Sequence, residues 1–352
     1  MPTGLLLVID HRETQVRMDG RALRIERPER PTEHIPLGVI GLVVIHGSPL
    51  VGCEVWRELA ERNIPAIIQP ARGQGQSALI GATLGNTIAL RLTQHRAAAD
   101  PPRALDLARR LVAAKITGQR QVRARLSGAA DPLPDFAAVE RQVYDSLAGA
   151  QTSNNLMGAE GIAAAAWYGW LGGWLPAHWR FAGRNRRPPR DPVNALLSLG
   201  YTILAGEVLR AVQEQGLDPA LGYLHGIVPG RESLVLDLME PLRPSVDLVI
   251  CGLLDNCFQP SQFTTSARDG CRLNKTGRAR FYQEWAIARA DWPDLEAAAP
   301  WHRPPADTGT DSSPLVPVTS LPALCRRQVE RLRAWLQPTA GATIPPADDL
   351  PF

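Results

Sequence analysis

Apolar residues near the N-terminus come in short alternating or continuous runs, and further along they recur at spacings of three and four. The first pattern predicts strands and the second predicts helices. GLLLVID (4–10) and QVRMDGRALRIER (15–27) read as strands. The latter is a hairpin turning at Asp19-Gly20, because Asp-Gly tolerates the positive φ of a tight turn between twisted strands. LGVIGLVVIHG (37–47) predicts a buried strand, PLVGCEVWRELAERN (49–63) a helix through Val51, Val55 and Leu59, and PAIIQP (65–70) a further short strand. From about residue 86 the helical spacing dominates, in LARRLVAAKITGQRQVRARLS (107–127), NNLMGAEGIAAAAWYGWL (154–171), PVNALLSLGYTILAGEVLRAVQEQG (192–216) and TGRARFYQEWAIARAD (276–291). Residues 293–320 are proline-rich and read as a loop, 321–337 as a last amphipathic helix, and 338–352 as a disordered tail. The expected class is α+β. A small β-rich domain over residues 1–85 precedes a larger all-α domain over 86–292.

Composition narrows this only slightly. Apolar residues make up 45 % and charged residues 21 % of the 352 residues, an ordinary globular balance with enough material for a sizeable core. No run of about 18 apolar residues predicts a membrane span. The start, MPTGLLLVIDHRE, lacks the basic segment of a secretion signal, so a cytoplasmic protein with no membrane partner is expected. The five cysteines (Cys53, Cys251, Cys257, Cys271, Cys325) are scattered and odd in number, which points to buried free thiols rather than disulfides or a zinc cage. The stretch ARGQGQSA (71–78) lacks the strand–loop–helix frame and downstream acid of a dinucleotide site. A net charge of +3, from 38 basic and 35 acidic residues, does not by itself announce nucleic acid, so local charge must carry that argument.

The chemistry concentrates in GYLHGIVPGRESLVLDLMEPLRP (222–244). Ser233, Asp237 and Glu240 fall at spacings of four and three among leucine, valine and methionine, and so share one helical face. Two carboxylates this close repel unless a cation or a proton lies between them. Pro241 should bend or end the helix, and His225 is near enough along the chain to fold over that face. Glu160 is misplaced in the same way: it shares a stripe with Leu156, Ala163 and Trp167, flanked by Gly158 and Gly161. Glu160, His225, Asp237 and Glu240 together would make an oxygen-rich set suited to Mg²⁺ or Mn²⁺, able to polarise a phosphodiester. The other reading is that these acids cap helices or pair with Arg231 and Arg243, and that His225 is a satisfied core histidine. Spacing leaves both open.

AHWRFAGRNRRPPRDPVNALL (177–197) gathers Arg180, Arg184, Arg186, Arg187 and Arg190 around Trp179 and Phe181, ahead of a helix starting near Asp191-Pro192. Guanidiniums grip phosphate, aromatics can stack on bases, and a helix N-terminus favours an anion, so a nucleic-acid contact is expected through Arg184, Arg186, Arg187 and Arg190. Asn194 and Tyr201, in that helix, read as structural. Arg109, Lys115, Arg120, Arg123 and Arg125 form a second basic series that reads as a solvated helix face.

Four ordered blocks, NNLMGAEGIAAAAWY, FAGRNRRPPRDPVNALLSLGYTILAGEV, GYLHGIVPGRESLVLDLMEPLRPSVD and LNKTGRARFYQEW, resemble the CRISPR-associated integrase family of spacer acquisition (the Cas-one family) across residues 150 to 285. The resemblance implies a homodimer paired through the β domains. It implies two dimers bridged by a small ferredoxin-like adaptation protein (the Cas-two family), and a metal held by Glu160, His225 and Glu240 with Asp237 in support. The implied reaction is metal-dependent transesterification: the 3′-hydroxyl of a short DNA duplex attacks a phosphodiester at the edge of a CRISPR repeat, with associated endonuclease activity. A repair nuclease with the same site, and a non-catalytic DNA-binding scaffold, are the rival expectations. Nothing in the resemblance extends to the region after about residue 292.

Overall fold

The short N-terminal runs fold into two sheets that face each other across a small apolar core. The computed structural model describes residues 4–62, 64–70, 77–80, 88–127, 136–295 and 320–337. Strands β1 (Leu5–Ile9), β2 (Gln15–Asp19), β3 (Ala22–Glu26), β4 (Glu33–Pro36), β5 (Ile40–His46) and β6 (Leu50–Val51) lead to helix α1 (Cys53–Glu61) and strands β7 (Ala66–Gln69) and β8 (Ala78–Ile80). One sheet has the order β1-β5-β7-β8, its first three strands parallel; the other has the order β4-β3-β2-β6. The β2–β3 hairpin turns at Asp19 and Gly20, where φ is +60°, as its sequence predicts.

The unbroken apolar run of β5 is explained by burial on both faces. Val43 and Ile45 point into the core shared with Val16, Leu23 and Ile25 of the second sheet and with Val55 and Leu59 of α1. Leu42 and Val44, pointing the other way, join the helical core. Period-two alternation therefore lets β5 join the β region to the helices, with Leu6 and Val8 of β1 and Ile67 of β7 packing on the same helical core.

The remaining helices are α2 (Ile88–Ala99), α3 (Pro101–Ser127), α4 (Phe136–Gly149), α5 (Ser153–Trp174), α6 (Pro192–Glu214), α7 (Ser233–Met239) and α8 (Arg243–Asn256). A hairpin, β9 (Phe263–Ser266) and β10 (Gly270–Leu273), precedes α9 (Lys275–Ala290) and α10 (Leu321–Leu336). The hairpin is an addition to the all-α expectation: Thr264 and Thr265 favour extended backbone, and Gly270 takes a positive φ at the turn. α6 is the central helix. By length and composition it could cross a membrane, but 72 % of its most apolar window is buried inside the protein. Gly206 lets it lie against the sheet, since a Cβ there would come within 2.7 Å of Ile67. Among the cysteines, Cys251, Cys271 and Cys325 are buried free thiols, whereas Cys53 is exposed. Most of the proline-rich stretch (296–319), the tail (338–352) and most of ARGQGQSA lie outside the described residues.

Candidate functional site

Glu160 and Glu240 are brought together by the packing of three elements. Thr152 caps α5, accepting from the Asn155 amide at 3.2 Å, and Glu160 follows two turns later on the face toward α3. α7 ends at Met239, and Glu240 opens a short 3₁₀ turn, Glu240–Leu242, that leads into α8; Pro241 breaks the α-helical ladder there as expected. α3 packs against both α5 and this turn, and Lys115 projects between them. Lys115 Nζ donates to Glu160 Oε1 and, at 2.6 Å, to Glu240 Oε2. The other oxygen of Glu240 accepts from Arg243 Nε at 2.8 Å.

Electrostatics here run against burial. Burial alone would raise the Glu240 carboxyl, but Arg243 and Lys115 outweigh it and hold it at about 2. Burial likewise pulls the Lys115 ammonium down, and Glu240 and Glu160 together reverse the sign and raise it. The network continues inward. Arg243 lies over the Tyr201 ring, 4.8 Å from its centroid, and the Tyr201 hydroxyl donates to Asp247, which also accepts from Trp167 Nε1 at 2.8 Å. Asp247 is pushed up to about 6 by burial, with the Tyr201 and Trp167 bonds pulling the other way.

Asp237 is fully buried and organises the loop before α7. Its carboxylate accepts the backbone amides of Tyr223, Leu224 and His225 at 2.5, 2.9 and 3.0 Å, and His225 Nδ1 lies 2.7 Å away. The imidazole is thereby fixed in orientation, and Nε2 has no hydrogen-bond partner among the described residues. Asp237 and Glu240 thus face different partners, although they stand three residues apart. No group of three or more His, Cys, Asp and Glu side chains placed to hold a metal ion is found among the described residues, and Lys115 stands between Glu160 and Glu240. Of the alternative pairings, Arg243 is realised on Glu240, whereas Arg231 donates to the His225 carbonyl and, at 3.0 Å, to Ser233 Oγ.

The arginine loop divides. Arg186, Arg187 and Arg190 are exposed, but Arg184 turns inward to Asn194 Oδ1 at 2.8 Å and Ser198 Oγ at 3.1 Å. Trp179 is not available for base stacking: it is 1 % exposed and packs edge-on against Phe263. Nor is the α6 N-terminus open to an anion, since Asp191 already caps it, accepting from the Asn194 amide at 2.8 Å. Asn194 and Tyr201 are buried and hydrogen-bonded. A cavity of about 760 Å³ opens between the carboxyl ends of β1, β5 and β7 and the helical region, with Arg184, Arg186, Arg187 and Arg243 among its lining. Lys115 departs furthest from its expected place. It is not solvated but 7 % exposed. The signal available was its setting, a lysine within the apolar run LVAAKI.

Comparison with known proteins bears on the family and the fold. Residues 7–286 match the family described as CRISPR associated protein Cas1. CRISPR-associated endonuclease Cas1 2 of Rhodospirillum rubrum is 34 % identical over 308 residues, covering 82 % of this chain and 88 % of its own. Among solved structures, a casposase bound to integration product superimposes with a TM-score of 0.77 at 20 % identity, over 94 % of this chain and 90 % of its own. A chain of a Cas6-RT-Cas1–Cas2 complex gives 0.76 at 22 % identity, over 95 % of this chain and 35 % of its own. A family match spanning most of the sequence, a relative above 30 % identity and the shared β-then-helical fold lead to one conclusion: the chain belongs to the Cas1 family of CRISPR-associated proteins.

Proposed function

We propose that the chain is a metal-dependent DNA integrase of CRISPR adaptation, joining the 3′-hydroxyl ends of short DNA duplexes to phosphodiesters at a repeat edge by transesterification, with associated endonuclease activity. The observation that carries this reading is the meeting of Glu160 and Glu240, from separate helical elements, on the Lys115 ammonium; the His225 imidazole, on the loop before α7, is oriented separately by Asp237. Family membership supports it, as do the states of the two structural neighbours, one bound to an integration product and one in a complex with Cas2. The donor chemistry fits Mg²⁺ or Mn²⁺: two carboxylates that already converge on a cation, and one imidazole with Nε2 left over. Glu160, His225 and Glu240 would hold the ion, which would supply Lewis-acid polarisation of the phosphodiester and acidify the attacking hydroxyl.

The chain's own groups do the rest. Asp237 keeps Nδ1 of His225 engaged, so that the ring presents Nε2, the arrangement by which a carboxylate orients a ligating histidine. Arg243 fixes the second oxygen of Glu240, leaving the first to face Glu160. Arg186, Arg187 and Arg190 would hold DNA backbone from the exposed loop, and Arg184 would act from within the cavity wall. The exchange of one phosphodiester for another conserves bond energy and requires no nucleotide triphosphate. We further propose a cytoplasmic homodimer paired through the β region, with two dimers bridged by a small ferredoxin-like partner of the Cas2 type.

The test supplies a labelled duplex with 3′-hydroxyl ends, a supercoiled plasmid carrying the repeat, the small partner and Mn²⁺ or Mg²⁺. Covalent joining is expected, with Glu160→Ala reducing it by at least about a hundredfold while the fold is retained. Cleavage without joining would replace the integrase with a repair nuclease. Salt-sensitive binding without either reaction would leave a scaffold.

A further inference from the structure

One buried charge has no part in the reaction described above. Lys115 is 7 % exposed, and its ammonium donates hydrogen bonds to the two carboxylates proposed to hold the metal. It is one of only two lysines in a chain otherwise supplied with arginine. A lysine ammonium is a compact point charge, closer in shape to a bound cation than a planar guanidinium is. Without it, only Arg243, on the other oxygen of Glu240, would offset the like charges of Glu160 and Glu240 in this poorly solvated place.

We propose that Lys115 is a resident counter-cation of the active site: it holds Glu160 and Glu240 together in the metal-free protein and must leave their oxygens before a divalent ion can be held there. The inference rests on the metal-binding reading of this site. The ammonium occupies Glu160 Oε1 and Glu240 Oε2, so an ion held by these carboxylates would compete with it, and the lysine would set a threshold concentration for metal loading. It also keeps the carboxylates positioned while no metal is present, as a preorganised site requires. Arg243 stays in place throughout, because it engages the other oxygen of Glu240.

Two measurements on the full-length protein test this. Mn²⁺ affinity is measured by titration calorimetry for the wild type, Lys115→Met and Glu160→Gln. Removing the competitor should tighten Mn²⁺ binding on the order of tenfold, the scale of losing one charge-assisted hydrogen bond, and Lys115→Met should gain more thermal stability from added Mn²⁺ than the wild type. The second measurement needs no substitution. With lysine labelled at Cε, only Lys115 and Lys275 give signals; Mg²⁺ should move the first and leave the second as an internal standard. If the wild type binds Mn²⁺ and Glu160→Gln abolishes it, yet Lys115→Met binds no tighter and the Lys115 signal is unmoved by Mg²⁺, the counter-cation proposal fails and the metal site stands. If neither the wild type nor Lys115→Met binds Mn²⁺, the metal site itself fails and the proposal falls with it.

Discussion

Single carboxylates in this protein do unlike work because their partners differ. Asp237 accepts three backbone amides, which makes it the knot of the His225 loop before it is anything else. Asp237→Ala would leave those buried amides unpaired and should cost about 3–5 kcal/mol, read as a lower urea midpoint, with DNA joining lost as the imidazole swings free. Asp247 is the opposite case, a buried acid raised to about 6 mainly by burial. Its folded value lies above its ordinary one, so the native state holds the proton more tightly. Stability is therefore lost as pH rises from about 4 to 6, by about 3 kcal/mol once the group is ionised. Asp247→Asn removes that titration. The melting temperature of the variant relative to wild type should climb across this window and then level off above it. A difference that stays constant with pH would show that Asp247 does not titrate there. Sequence spacing predicted one polar face for Asp237 and Glu240, although Glu240 lies just past the end of α7. It could not show that one turns to its own loop and the other to α3, because those partners are fixed by tertiary packing.

At the scale of elements, the sequence is most legible where a hydrophobic period runs long. α5, α6, α9 and α10 lie where the three- and four-residue spacing predicts them. The β9–β10 hairpin was missed although its threonines and Asp269-Gly270 are ordinary hairpin signals, because the surrounding helical period drowned a segment of four-residue strands. The arginine loop shows the other limit. Its charge was visible in sequence, but not that Asp191, Asn194 and Asn185 would weave it into the start of α6. Asp191 caps the helix, its second oxygen accepts from Asn194 Nδ2 at 2.6 Å, and Asn185 Oδ1 accepts the Arg190 amide at 2.7 Å. The loop is therefore held from below while Arg186, Arg187 and Arg190 face outward. Asp191→Ala should cost about 1–2 kcal/mol in thermal stability through the lost cap. It should also weaken DNA binding with little change in the salt dependence, since the cations proposed to contact phosphate remain but are no longer positioned. A flattened salt slope would mean instead that arginine contacts themselves were lost.

Across the whole molecule, the two regions share β5, whose alternate residues enter separate cores, and the cavity lined by arginines lies where they meet. Sequence revealed β5 as buried, but an unbroken apolar run says nothing of which elements cover each face. His46, the last residue of this strand, bonds through Nε2 to the hydroxyl of Tyr282 on α9, with the rings edge-on at 5.4 Å between centroids. Burial, aided by the charge of Arg278, pushes its pKa down to about 4, and Asp10 opposes this only weakly. The folded value is below the ordinary 6.5, so the unfolded chain binds the extra proton first. The contribution of the neutral ring is complete above pH 6.5 and is lost as pH falls toward 4. Its size is at most about 3 kcal/mol, less whatever solvent screening removes at a half-buried ring. His46→Gln cannot take up that proton. Wild type and variant should differ in melting temperature by a fixed amount above pH 6.5, and the wild type should then lose ground steadily between pH 6.5 and 4. The same acidification should make the wild-type cleft between β5 and α9 more open to proteolysis while the variant stays unchanged. Parallel loss in both proteins would place the acid sensitivity elsewhere and leave His46 as a packing residue of the interface.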